Sequence, residues 1–260
     1  MSTWKRWTAV AGLALGVGIP MLAAPASAAS DAPAVDPAAL RILKQSTDFL
    51  DGLPKFKLST QSIIEDMHAT GHRVDYDLSA NVTLKRPNKL RADRTGQLLN
   101  QRFFYDGKAL TLYSPSEKVY ATQAAPETVE TMINFARETV GVLLPAADMV
   151  YTRAYPLMTQ DLTAAVVVGK AVVGGIICHH LLFVRPGAEF QIWVEDGARP
   201  WPRKYVVTET DTPEKLSITT FLTDWNDAPA VDDAQFAFVP PAGTSETRFI
   251  PYGTTAKAGR

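Results

Sequence analysis

The chain of 260 residues has one cysteine, Cys178, and four histidines. One thiol cannot close an internal disulfide, so the fold must hold without covalent staples. A surplus of positive charge is also missing: 26 Lys and Arg stand against 27 Asp and Glu. Nucleic-acid binding needs basic excess to neutralise phosphates, so that class is excluded. No GxSxG, HExxH or Gly-rich phosphate loop occurs, which removes the common hydrolase and nucleotide signatures. Beyond the first thirty residues no apolar run is long enough to span a bilayer. There is no internal repeat and no Gly/Ser linker, and these absences point to one folding unit.

The N-terminus carries the first positive signal. Lys5 and Arg6 precede the Gly- and Pro-broken apolar stretch "TAVAGLALGVGIPMLAA", which ends at the small-residue site Ala26-Ser27-Ala28. This order is that of a secretory leader, with cleavage expected after Ala28. Removing residues 1–28 takes away two positive charges and no negative one, so the net charge of -1 becomes -3. No Cys lies near the cut to carry a lipid anchor. The mature chain is expected in a periplasmic or extracellular space, with no membrane span. Residues 29–35 read as a flexible lead, 36–250 as one domain and 251–260 as a loose tail.

A helix is expected from Asp36. Asp36 can cap free N–H groups, and Pro37 suits the first helical position. Leu40, Leu43, Thr47 and Leu50 form its stripe, and Gly52 and Pro54 end it. Strands follow at 55–68 and 72–84. In "HRVDYDLSANVTLKRP" Val74, Tyr76, Leu78, Ala80, Val82 and Leu84 alternate with polar residues. That is the pattern of a strand with one covered face. Thirteen residues span roughly 43 Å, far longer than an ordinary strand, and long antiparallel pairs must twist and coil.

Four shorter strands are read in "KLRADR", "QRFFYDG", "KALTLYSP" and "KVYATQ", with turns at "YDGK" and "SPSEK". A second helix is expected over 126–141, with Pro126 early, Gly141 at its end, and Val129, Met132, Ile133, Ala136 and Val140 on its stripe. Short helical pieces around Pro145 and Pro156 come next. Five further strands begin at Thr163, and "DDAQFAFVPPAG" closes as a turn and an extended end. Grouped strands with few helices indicate an α+β fold with a curved sheet or open barrel.

The ordered landmarks "TLKRPNKLRAD", "FFYDGKALTLYSPSEKVY", "QIWVEDGARPWPRKYVVTE" and "FVPPAG" resemble the LolA/LolB-like lipoprotein carriers. They are more closely similar to a related family of predicted periplasmic proteins without assigned function, in which "PAADMV" and "CHHLLF" also recur. The resemblance covers roughly residues 37–243. It implies a half-open, strongly curved antiparallel sheet of about ten or eleven strands, an unclosed barrel, with an α-helical lid on its concave face. It implies a concave apolar cavity for lipid chains, closed by the helices at 36–51 and 126–141. It also implies a lid latch at the Arg of the Arg-Pro turn, here Arg86. The aromatic that often follows that turn in the carriers is replaced by Leu90 and Ala92.

Candidate lining residues of the cavity are Val74, Tyr76, Leu78, Val82 and Leu84, joined by Phe103, Tyr105, Leu112, Ile192 and Val194. An acyl chain gains about 25 cal/mol per Å² buried, so few directed contacts are needed. The same alternation also suits an ordinary core. Cys178-His179-His180 is not expected to bind metal, because on a strand Cys178 and His180 share a face and His179 does not. Asp75 and Asp77 lie on the polar face as solvated charges. Trp193, Trp201 and Trp225 with Tyr205 and Phe221 suit sheet packing.

The leading expectation is a non-enzymatic binder or carrier of a hydrophobic ligand, such as a lipid or acyl chain, without a cofactor. The alternative is a protein-interaction or sensor module of an envelope pathway with an envelope protein partner and no lipid. A hydrolase or metalloenzyme is the third reading.

Overall fold

The computed structural model describes residues 34–97, 99–142 and 144–249. The expected leader, most of the lead and the loose tail lie outside the described residues.

Helix α1 (Pro37–Asp51) begins where the capping argument places it. Asp36 Oδ1 accepts from the Ala38 N–H at 2.7 Å, and Pro37 occupies the first turn. Ala39, Leu43, Ser46, Thr47 and Leu50 are its buried face. Leu40 sits at the margin of that face, half-buried rather than central. The Ser46 hydroxyl donates to the Pro200 carbonyl at 2.7 Å, fixing the helix to the loop beneath it.

Twelve strands follow: β1 (Lys55–Met67), β2 (Arg73–Lys85), β3 (Lys89–Gly96), β4 (Asn100–Tyr105), β5 (Ala109–Ser114), β6 (Val119–Ala124), β7 (Ala164–Val173), β8 (Ile176–Arg185), β9 (Ala188–Glu195), β10 (Pro202–Glu209), β11 (Ser217–Asn226) and β12 (Ser245–Thr247). They form one sheet in the order β12-β6-β5-β4-β3-β2-β1-β11-β10-β9-β8-β7. The two ends do not pair, so the curved sheet is an unclosed barrel. Neighbours are antiparallel except β12, which runs parallel to β6. That three-residue strand corrects the expected ten or eleven. Its sequence "SET" has no apolar alternation, and its Ser245 N–H donates to the Lys118 carbonyl.

The long hairpin β1–β2 pairs without a break from Lys55↔Lys85 to Met67↔Arg73. β1 then joins the two halves of the sheet by pairing with β11. At the edge strand β7, the chain just before α1 bridges Val35 to Ala165 and covers part of the exposed ladder.

The helical insertion between β6 and β7 departs from the expected continuous helix. α2 (Val129–Phe135) starts later, because Thr128 caps it: the Thr131 N–H donates to Thr128 Oγ1 at 3.2 Å, and the Thr128 N–H to Thr131 Oγ1 at 3.3 Å. The coil then widens into a π turn, Ala136–Val140, ended by Gly141 at φ 72°. A 3₁₀ turn (Ala147–Val150) and α3 (Ala154–Thr159) complete the insertion. Val129, Met132, Ile133, Met149 and Met158 from these pieces pack with Phe56, Leu84, Phe103, Tyr105, Leu181 and Phe183 from both halves of the sheet. Fully burying each such side chain contributes about 1.5–3 kcal/mol.

A candidate ligand-binding hollow

Strand register decides which side chains share the concave wall. Across β4, β3, β2 and β1 one row reads Phe103, Ala92, Val82, Leu58. The next reads Gln101, Arg94, Ala80, Thr60 and continues to Leu222 on β11. The following row places Leu78 beside Ser62 and Thr220. Two alanines among large neighbours leave space above the sheet. Ile133 of α2 and the segment 144–150 close that space from above. The result is a hollow of about 70 Å³ with mostly apolar walls. Beyond residues 144–146 an open cleft of about 470 Å³ adjoins it, lined also by Tyr205, Val207, Ile218 and Thr220. Leu144, Pro145 and Ala146 line both, so this segment is the partition.

Polar groups in the wall are few. Ser62 and Thr220 are buried and satisfy each other, hydroxyl to hydroxyl, at 2.9 Å. Arg94 is 3% exposed, and burial pulls its guanidinium down to about 10. It therefore stays charged at neutral pH. On the rim, complete burial, with Asp148 adding to it, pushes the Tyr205 hydroxyl far above its ordinary value.

Contacts that hold the cover down converge on residues 150–152. Arg86 Nη1 donates to the Val150 carbonyl at 3.0 Å and to Thr152 Oγ1 at 2.8 Å. Glu130 Oε1 accepts from the Thr152 N–H at 2.6 Å and lies 3.6 Å from Arg86. Burial pulls the Arg86 guanidinium below its ordinary value, against the attraction of Glu130 and Asp51. Its Nε and Nη2 are buried without a hydrogen-bond partner among the described residues. Burial raises the Glu130 carboxyl, but hydrogen bonds from Thr152, from its own backbone and from Thr128 together outweigh it and hold the group below its ordinary value. The turn after Arg86 also touches the lid, where the Val129 N–H donates to the Pro87 carbonyl at 3.1 Å.

Of the residues expected to line a cavity, Leu78, Val82 and Phe103 line the hollow. Leu84 and Tyr105 lie deeper in the core, where the Tyr105 hydroxyl donates to the Pro126 carbonyl. Ile192 and Val194 are buried in the other half of the sheet, and Leu112 packs half-buried at the core margin. Val74 and Tyr76 sit toward the hairpin's outer end, opposite Asp66 and Ile64, away from the hollow. Helix α1 packs on β7, β8, β9 and α3. It does not contribute to the lining, so α2 and 144–150 are the cover. Unforeseen lining comes from Ala80, Ala92, Arg94, Leu222, Trp225 and the segment 144–150. Arg94 had a signal: in "KLRADR" it alternates onto the face of Leu90 and Ala92.

The remaining candidates resolve into structure. Asp75 and Asp77 are exposed. Cys178 is buried, His179 Nε2 lies 2.9 Å from Asp196, and His180 stacks on Trp193 at 4.1 Å and contacts Gln191. Trp201 stacks on Trp225 at 4.7 Å, with Phe49 of α1 against its edge, whereas Trp193 lies under Lys204 in a separate group. No cluster of three metal-ligating side chains, and no helix long and apolar enough to cross a membrane, occurs among the described residues.

The geometry defines a half-open sheet with a helical lid over an apolar hollow. The chain belongs to the family described as predicted periplasmic protein (DUF2092), whose model matches residues 39–250. That description agrees with the periplasmic location expected from the leader. No curated protein matches the sequence. Solved structures similar to it include an uncharacterised conserved protein from Thermus thermophilus, with 12% identity, 81% of this chain and 99% of that one covered, and a TM-score of 0.48. The Mycobacterium tuberculosis lipoprotein LppX is 14% identical over 76% of this chain and 100% of its own, with a TM-score of 0.43. A LolA superfamily protein from Nitrosomonas europaea is 12% identical over 77% and 97%, with a TM-score of 0.36.

Proposed function

We propose that the protein is a periplasmic, non-enzymatic binder or carrier of a hydrophobic ligand, a lipid or acyl chain, held between the concave sheet and its lid. The observation that carries this reading is the apolar hollow and its partition. As it stands, the hollow of about 70 Å³ admits only a short hydrocarbon segment. The adjoining cleft of about 470 Å³ shares the lining residues Leu144, Pro145 and Ala146 with it. Displacing that segment joins the two into a space of the size usual for small-ligand sites, roughly 300–1,000 Å³. Arg86 serves as the latch, since its contacts to Val150 and Thr152 bias the cover shut and are few enough to break. An acyl chain entering beneath the cover replaces them with apolar burial worth about 25 cal/mol per Å².

Native mass spectrometry of the protein purified from its own host tests this. The expected result is a co-purifying lipid mass released on activation. Repeated ligand-free spectra, together with no binding of acyl probes in solution, sink the reading.

A further inference from the structure

Arg137 sits astride the partition. Its Nη2 donates to the Leu144 carbonyl at 3.4 Å and its Nη1 to Asp148 Oδ1 at 3.1 Å, so one guanidinium holds the chain on both sides of Pro145 and Ala146. Nη1 also reaches the Tyr151 hydroxyl at 3.4 Å, and that hydroxyl donates to Asn134 Oδ1 at 2.6 Å. Between the two held points Ala146 lies at φ 55°, in the left-handed region that suits glycine and strains an alanine. Such backbone persists only where its surroundings enforce it. Arg137 and Asp148 are also the two charged side chains among the described residues that line the cleft of about 470 Å³, whose other walls are mostly apolar. Arg185 lines a neighbouring opening with the same pair, but not this cleft. Each partner of the pair keeps 35% of its side chain exposed, so both charges can be reached from solvent. Leu144, Pro145 and Ala146 line the hollow as well. A cation and an anion side by side thus stand at the entrance to an apolar space.

We propose that the cleft takes the head of a zwitterionic amphiphile, its phosphate on Arg137 and its ammonium on Asp148, with the alkyl chain passing residues 144–146 into the hollow. This rests on the hydrophobic-ligand reading above and narrows the ligand class. The charge count decides the head. A phosphate alone would take Arg137 and leave Asp148 unpaired beside a second anion, and an ammonium alone would do the reverse. A charge left unpaired between apolar walls is costly. A head carrying both charges replaces the ion pair one for one. The guanidinium suits the phosphate because it offers paired donors to two oxygens. Once Arg137 turns to the phosphate it releases Leu144 and Asp148, and the partition is free to move as the chain enters.

Four probes of equal chain length test this: dodecylphosphocholine, dodecyl phosphate, dodecyltrimethylammonium and dodecanol, each titrated calorimetrically below its micelle or solubility limit. Dodecylphosphocholine is expected to bind at least about tenfold tighter than dodecanol, the size of one charge-assisted hydrogen bond, and tighter than either singly charged probe. Asp148→Asn removes the partner of the ammonium and frees Arg137, so dodecyl phosphate should become the tightest of the four. In Arg137→Gln dodecyltrimethylammonium should take that place. A merely structural ion pair would lower stability in both variants without reordering the probes. The wild-type order stands alone should the variants fail to fold. Equal affinity for all four, a singly charged probe tightest in wild type, or an order unchanged in either folded variant overturns the head-group role of the pair and leaves hydrophobic binding standing. Binding of none of them overturns both.

Discussion

Glu130 and Arg86 converge on the same short stretch of lid, 3.6 Å from each other. Glu130 takes the Thr152 N–H, and Arg86 takes the Val150 carbonyl and the Thr152 hydroxyl. The Glu130 carboxyl is held below its ordinary value. A carboxyl whose folded-state pKa is lowered stabilises the fold above its unfolded-state value, near 4.3 for Glu. That stabilisation is lost as pH falls through the lower folded-state value. Wild type should therefore melt higher than Glu130→Gln at pH 7, with the gap narrowing below about pH 4.3 and closing once the wild-type carboxyl is protonated. Thermal melts of both proteins from pH 7 to pH 3 check this; a gap that stays constant removes Glu130 from the lid contact. At this scale Arg86 was legible, because it stands in an Arg-Pro turn that resembles the carriers. Glu130 was not, since its partner Thr152 lies twenty-two positions away and no pattern links them.

Elements were legible wherever local chemistry decides them. Asp36-Pro37 starts α1, Gly141 ends the second helical stretch at positive φ, and period-two alternation marks the strands. The signal failed where tertiary context decides. The "SET" strand exists only because β6 offers it an edge, and the π turn keeps Ala136 buried while the chain swings toward Gly141. The hollow depends on register between strands distant in sequence. β3 and β11 contribute Arg94 and Leu222 to one row of the wall, and no single stretch reveals that Ala80 is the small residue between them. Ala80 is therefore the position to fill. Ala80→Leu places three more carbons in the hollow. Overpacking costs typically about 1–3 kcal/mol, and available space puts this substitution near the low end. A displaced methylene forfeits about 0.8 kcal/mol of ligand burial, so losing two weakens binding at least about tenfold. Titration of dodecanol alongside a melting curve reads both. Undiminished binding with a modest stability loss places the ligand elsewhere.

At the scale of the whole molecule, the sheet and its cover differ in how they are held. The β1–β2 hairpin is an unbroken ladder, flanked by β3 and β11. The cover is several short pieces, joined to the sheet by apolar packing and by the contacts of Arg86 to Val150, Thr152 and Glu130. Local opening follows such differences, because each cooperative unit has its own opening free energy. Arg86→Ala removes hydrogen bonds from a charged donor, worth about 1.5–3 kcal/mol, and leaves the Val150 carbonyl to find water. If the cover opens as a unit, that sum appears in its opening equilibrium and not in the ladder. Hydrogen exchange should then accelerate about tenfold to a hundredfold at amides of 129–135 and 147–159, with protection in the β1–β2 ladder unchanged. Exchange that rises equally in lid and ladder would mean Arg86 holds the entire fold, and exchange that rises in neither would mean the cover is closed by packing alone. In both cases a ligand gate built on that residue is lost, because a gate requires a cover whose opening is separable from unfolding.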